Sequence, residues 1–166
     1  VEPEVLMDGE HNIMRCYEVT SNVLKECYKE LKLHNVNLKG TILKPNMILP
    51  GSKSKDKSSS KEIAQLTLKC LKENVPNEVP GIAFLSGGQT EIEATQNLNE
   101  INKINDTNFL MSFSYGRALQ QSALKSWAKN IEDTNATQKI FNHRSKMNGL
   151  STSAKWSMEL EKQLTA

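Results

Sequence analysis

The sequence predicts an α/β fold made of four strand–helix units, arranged as half of a (β/α)8 TIM barrel with a helical C-terminal extension. Three observations predict it. Short apolar runs of strand length alternate with longer stretches of helical periodicity, the pattern of βαβ units and a parallel sheet. The third run, Gly81–Leu85, is apolar throughout, as expected of a parallel strand covered on both faces. The chain has 166 residues, one domain's length and well short of the ~250 residues of a closed eight-unit barrel.

Val1–Leu6 is the first strand expected. The chain opens without Met and already in strand-like sequence, so it reads as a piece of a longer chain. Glu10–Leu33 is the first helix: Ile13, Cys16, Tyr17, Val23, Leu24, Cys27, Tyr28 and Leu31 recur at three- and four-residue steps, one helical face. Gly40–Leu43 is a strand that Pro45 stops. Ser60–Glu73 is a helix burying Ile63, Leu66, Thr67, Cys70 and Leu71, and Ser59 with Glu62 forms a capping box at its start. After Gly81–Leu85, the turn Ser86-Gly87-Gly88-Gln89 leads into a helix over Thr90–Lys103, with Thr90 and Glu93 as a second capping box. Phe109–Tyr115 is the fourth strand, and Arg117–Trp127 is the helix after it. The division expected is 1–128 for the half-barrel and 129–166 for the extension, which is polar and only weakly amphipathic near Ile131–Met147.

Composition excludes several function classes. The longest apolar runs fall far short of the ~20 residues that span a bilayer, so no membrane partner is expected. Lys and Arg number 21 against 19 Asp and Glu, and only Lys53–Lys61 clusters positive charge. Gly51–Lys61, which contains it, holds no aromatic residue on which a base would stack, so it reads as a mobile solvated loop and not a nucleic-acid site. The three cysteines sit in helical patterns at spacings that match no zinc motif, as reduced core thiols. His11, His34 and His143 are scattered, and no metal site is expected. Met7, Met14 and Met111 read as core filler.

Chemistry gathers at the carboxyl ends of the strand candidates, where barrel enzymes keep their active sites. Lys44 follows Ile42 and Leu43, and Pro45 holds it extended. An amine drawn toward an apolar interior loses part of its charge and becomes nucleophilic. Ser86, Gly87 and Gly88 lie between a strand and a capped helix, where loop amides and the helix N-terminus attract an anion. Ser114, Gly116 and Arg117 place a guanidinium just past a strand end, suited to a phosphate; against the helix dipole, a cation there asks for an anion nearby. Glu2 and Glu4, two apart, share one face of an extended segment and suit general acid/base work. Singly, each also fits an ordinary surface lysine, turn, arginine or solvated edge. Together they list an amine nucleophile, carboxylates and phosphate ligands, the set for Schiff-base chemistry on a phosphorylated keto compound.

The segments Val1-Glu2-Pro3-Glu4-Val5-Leu6, Leu43-Lys44-Pro45-Asn46-Met47, Phe84-Leu85-Ser86-Gly87-Gly88-Gln89, Asn97-Leu98-Asn99 with Ile101-Asn102-Lys103, and Phe113-Ser114-Tyr115-Gly116-Arg117-Ala118-Leu119-Gln120 closely resemble the C-terminal half of class I fructose-bisphosphate aldolases. The resemblance runs from Val1 to about Trp127, and more weakly to about Lys155. It implies a (β/α)8 barrel of which this chain supplies strands five to eight. It implies Lys44 as the Schiff-base lysine, Glu2 as general acid/base, Glu4 as a second carboxylate beside the imine, and Ser86, Gly87, Gly88, Ser114, Gly116 and Arg117 as holders of a substrate phosphate. The implied reaction is the glycolytic, reversible cleavage of fructose 1,6-bisphosphate by a cytoplasmic homotetramer of full-length chains. Neither metal nor cofactor is implied beyond the covalent imine on Lys44. The alternative weighed is a truncated or divergent, non-catalytic piece serving as a binding or scaffold element. Two departures bear on it: Lys39 stands where the family usually has an acidic residue, and the chain ends Gln163-Leu164-Thr165-Ala166 without the family's terminal tyrosine.

Overall fold

The computed structural model describes residues 1–165; Ala166, the last residue of the expected extension, lies outside the described residues. Three parallel strands, β1 (Ile42–Leu43), β2 (Gly81–Phe84) and β3 (Leu110–Phe113), stand in the order β1-β2-β3. Ile42, Gly81 and Leu110 share one row of the register. Helix α1 (Ile13–Leu33) precedes β1, α2 (Ser60–Asn74) crosses from β1 to β2, and α3 (Glu91–Ile104) crosses from β2 to β3. Helices α4 (Arg117–Lys129), α5 (Thr134–Ser151) and α6 (Met158–Glu161) follow. The α/β alternation with a parallel sheet is therefore as predicted.

The expected first strand is corrected in one respect: Val1–Leu6 is not a regular strand among these elements. It begins as one. The Val1 nitrogen donates to Ile42 O at 3.0 Å, and Lys44 N donates to Val1 O at 2.8 Å. In a parallel ladder the next donor on that edge is residue 3. Residue 3 is Pro3, which has no N–H, so the regular pairing stops there.

The helices start where their caps dictate. Asn12, Ser59 and Asp133 each accept a backbone N–H from three residues on, at the heads of α1, α2 and α5. Thr90 and Glu93 complete a reciprocal capping box on α3. Gly116, before α4, offers no side-chain cap.

One face of the sheet is packed. Leu43, Ile82, Phe84 and Met111 are buried with Leu24, Leu71, Leu98 and Ile101 from the helices. Alternate strand residues face the other way, where Ile42 is 58% and Leu110 78% exposed. The expectation that Gly81–Leu85 is covered on both faces is thus corrected. Every second residue of β2 is buried and the others are only partly so, because nothing within these residues lies over the second face. On α1, Val23 and Met14 point to solvent, while Thr20 and Ser21 take the buried places; polar side chains that hydrogen-bond with Cys16 one turn back on α1 and with Cys70 of α2 substitute for apolar ones. Cys16 and Cys70 are buried thiols, and Cys27 is half-buried.

The extension is more firmly built than its polar sequence suggests. Helix α5 packs on α3 and α4. Met147 and Trp156 are buried there beside Arg144, Asn148, Ser151 and Glu161.

Candidate active site at the carboxyl edge of the sheet

Because the three strands are parallel, their carboxyl ends share one edge. Two backbone bonds carry the alignment past the strands: Leu85 N donates to Pro45 O at 3.0 Å, and Ser114 N donates to Phe84 O at 2.8 Å. Neighbouring strands lie about 4.8 Å apart. The Lys44 segment, the Ser86 turn and the Ser114–Arg117 turn are therefore consecutive neighbours along that edge.

Lys44 lies two residues after Ile42 and so projects on the same, open face of the sheet. Its Nζ stands 2.8 Å from Glu2 Oε1. The expectation of a lysine dried by an apolar interior is corrected. The Lys44 side chain keeps 30% exposure and Glu2 keeps 55%, because the face onto which both project is uncovered. Glu2 and Glu4 are exposed, while Pro3 and Val5 between and after them are half-buried. The alternation puts both carboxylates on one side of the segment, as the spacing predicts.

The Ser86 turn is shaped by its glycines. Gly87 and Gly88 have φ of +49° and +79°, left-handed backbone that a side chain disfavours. A Cβ on Gly87 would also lie 3.1 Å from Leu85 Cδ1. Ser86 is buried, and its carbonyl accepts from Gln89 N at 3.0 Å and from Gln89 Nε2 at 2.9 Å. Asn97 Nδ2 in turn donates to Gln89 Oε1 at 2.7 Å. Gln89 and Asn97 thus hold the turn, a role that sequence reasoning did not assign them.

The two helix starts at this edge differ. The N-terminus of α3 carries the expected Thr90–Glu93 box, and the Glu91 carboxylate accepts from Ser122 N of α4 at 2.9 Å. Helix α4 is the free one. Gly116 supplies no capping side chain, and no acidic residue stands in the first turn. Uncapped amides there attract an anion, and Arg117 and Ser114 are exposed beside them. An amine, a carboxylate in contact with it, the Ser86 turn and the Ser114–Arg117 turn thus line one edge.

Asn46 is the residue that sequence reasoning missed. It is 3% exposed, and its Oδ1 accepts the Val5 N–H at 3.0 Å. The available signal was a lone polar residue between Pro45 and the apolar Met47–Leu49. Past a buried Gly51, the Gly51–Lys61 loop is exposed or half-buried as expected, but its start is tied down. Gly51 N donates to His11 O at 2.8 Å, Ser52 N to Met7 O at 2.7 Å and Lys53 N to Gly9 O at 2.9 Å. Among the described residues no group of three His, Cys, Asp or Glu side chains is disposed to hold a metal ion. No helix among them is long and apolar enough to cross a membrane.

Comparison with known proteins gives a consistent result. The model of one family, class-I fructose-bisphosphate aldolase, matches residues 1–166. The cytoplasmic isozyme of fructose-bisphosphate aldolase from Spinacia oleracea is 51% identical over 157 residues, covering 94% of this chain and 44% of that protein. Fructose-bisphosphate aldolase 2 of Caenorhabditis elegans is 50% identical over 160 residues, covering 96% of this chain and 44% of its own length. Among solved structures, fructose-bisphosphate aldolase from Plasmodium falciparum, in complex with TRAP and a small-molecule inhibitor, superposes with a TM-score of 0.91 at 41% identity, over 95% of this chain and 45% of that one. The chain spans a little under half the length of these relatives.

Proposed function

Since the chain belongs to the class-I fructose-bisphosphate aldolase family, we propose that it supplies strands five to eight of a (β/α)8 barrel, and with them the imine-forming half of a Schiff-base lyase. The reaction is the reversible cleavage of fructose 1,6-bisphosphate to dihydroxyacetone phosphate and glyceraldehyde 3-phosphate. Residues 1–128 form the half-barrel and 129–166 the helical extension. The working assembly is a homotetramer of chains spanning the family's full length, and its place is the cytoplasm, as the name of the spinach relative states for that protein.

In this reading the Lys44 amine attacks the C2 ketone, and water leaves to give an iminium. Glu2, 2.8 Å from the nitrogen, moves the protons of that dehydration. A base takes the proton of the C4 hydroxyl. C4 becomes the aldehyde of glyceraldehyde 3-phosphate as the C3–C4 electron pair passes into the iminium, forming an enamine. The enamine is protonated at C3, and hydrolysis frees dihydroxyacetone phosphate and the amine. Glu4 stands beside Glu2 as the second carboxylate. Ser86, Gly87, Gly88, Ser114, Gly116 and Arg117 hold a phosphate, which orients the chain of carbons over Lys44. No cofactor enters; the imine carbon is the electron sink.

The observation that carries this reading is the Lys44–Glu2 contact on the edge that also bears the Ser86 and Arg117 turns. Borohydride reduction in the presence of dihydroxyacetone phosphate, applied to a polypeptide that spans the family's full length, tests it. Covalent label is expected on Lys44 and absent from Lys44→Ala. Label that persists in Lys44→Ala overturns the assignment. The non-catalytic alternative is disfavoured by the open sheet face: Ile42 and Leu110 ask for an apolar cover.

A further inference from the structure

We propose that Asn46 is a positioning residue, whose side-chain amide replaces a missing main-chain rung and fixes the Glu2–Glu4 segment against β1. The inference rests on the Schiff-base reading above and concerns how the carboxylates are held beside Lys44. The segment that carries Glu2 and Glu4 is tied to β1 at Val1, through Ile42 O and Lys44 N. Pro3 then provides no donor, so the chain would be free of β1 just where the two carboxylates lie. It is caught again at Val5, whose N–H donates to Asn46 Oδ1 at 3.0 Å. Glu2 and Glu4 sit between these two anchors.

Asn46 is itself immobilised. Its Nδ2 donates to Met47 O at 3.1 Å and to Thr20 Oγ1 of α1 at 3.1 Å. A carbonyl only accepts, so the nitrogen must face Met47 and the oxygen must face Val5. The amide is buried, and every partner is directional. Its own backbone lies two residues beyond Lys44. One side chain therefore references the carboxylate segment to the lysine strand and to α1 together. Loss of that reference leaves the amine and the phosphate loops in place but lets Glu2 wander from the 2.8 Å contact.

The test uses a polypeptide spanning the family's full length, with Asn46→Ala, Val5→Pro and the double variant. Val5→Pro deletes the same hydrogen bond from the other side and leaves Asn46 intact. The expected result is a fall of kcat by roughly ten- to a hundredfold in either variant, from misplacement of a proton-transfer group. KM should change less than about threefold, since neither residue belongs to the phosphate loops, and the double variant should lose no more than the worse single one. Borohydride trapping of wild type is run alongside. Wild type that fails to trap at Lys44 overturns the Schiff-base reading and this inference with it. Normal trapping with wild-type kcat in a folded single variant, or losses that multiply in the double variant, overturns the positioning role alone. A variant that does not fold leaves the other as the deciding case.

Discussion

Arg144 and Glu161 form a buried ion pair that clamps α6 onto α5. Both side chains are 7% exposed. Arg144 Nη2 donates to Glu161 Oε1, and Nη1 donates to Glu161 Oε2 at 3.1 Å and to Thr95 Oγ1 of α3 at 3.1 Å. Trp156 Nε1 donates to Glu161 Oε2 at 2.8 Å. Leaving one buried charge without its partner typically costs about 3–5 kcal/mol. Glu161→Ala is expected to cost that much in urea unfolding, while a joint Arg144→Met, Glu161→Leu change costs far less. Equal costs for the two would show that the pair is not coupled.

The same carboxylate predicts acid sensitivity. Burial pushes Glu161 up, but hydrogen bonds from Arg144 and Trp156 and the Arg144 charge outweigh it and hold the group below the usual carboxylate range. A folded-state pKa below the unfolded one contributes stability that is present above the unfolded pKa, about 4.3 for Glu, and is lost as pH falls through the folded value. The urea midpoint should therefore drop as pH falls from about 5, and Glu161→Gln should flatten that part of the profile. A profile unchanged in Glu161→Gln refutes the assignment.

All three tyrosines should resist ionisation. Burial raises both Tyr28 and Tyr115 above the ordinary phenol range. Burial and then the Glu73 carboxylate, to which its hydroxyl donates, push Tyr17 up to about 12. Ultraviolet titration of the native protein should show no phenolate absorbance near pH 10, where urea-unfolded protein shows all three. Because these folded-state values lie above the unfolded one, stability holds below about pH 10 and falls as pH rises through them. Normal titration of any one tyrosine in native protein contradicts its burial.

Arg117 and Gly88 test the phosphate loops. Arg117→Ala removes a charge-assisted donor, worth about 1.5–3 kcal/mol, so dihydroxyacetone phosphate should bind roughly tenfold or more weakly while unphosphorylated dihydroxyacetone is unaffected. Gly88→Ala forces a side chain into left-handed backbone at φ +79°, costing about 1–2 kcal/mol, and should also weaken the phosphorylated ligand. Equal effects on both ligands in Arg117→Ala would place the phosphate elsewhere.

The open face of the sheet makes the half-barrel reading testable. A side chain 78% exposed, as Leu110 is here, is replaceable by Ala at little cost. In a polypeptide spanning the family's full length, Leu110 should be an interior residue, and Leu110→Ala should cost about 2–5 kcal/mol. Indifference to that change in the full-length protein would mean that no second half-barrel covers this face.

Local chemistry was legible in the residues alone, because it needs only near neighbours. Ser59, Thr90 and Glu93 announced helix starts through contacts three residues long. Gly87-Gly88 announced a turn through backbone sterics, and Lys44-Pro45 announced a strand end. The order of strands and helices followed from periodicity, and with parallel strands that order already placed Lys44, Ser86 and Arg117 at one edge. Tertiary structure alone decided three matters. Val1–Leu6 leaves the regular ladder at Pro3 and is caught by Asn46, whose partner Val5 lies on a different segment. Lys44 stays half-open beside Glu2, since exposure depends on what covers a face and not on the residues within the strand. The extension is held by Arg144, Trp156 and Glu161, polar or amphipathic side chains that read as surface until their partners on other elements are known. The common reason is range: caps and turns are settled within one helical turn, whereas burial and hydrogen-bond partnership are settled by chain segments that only the fold brings together.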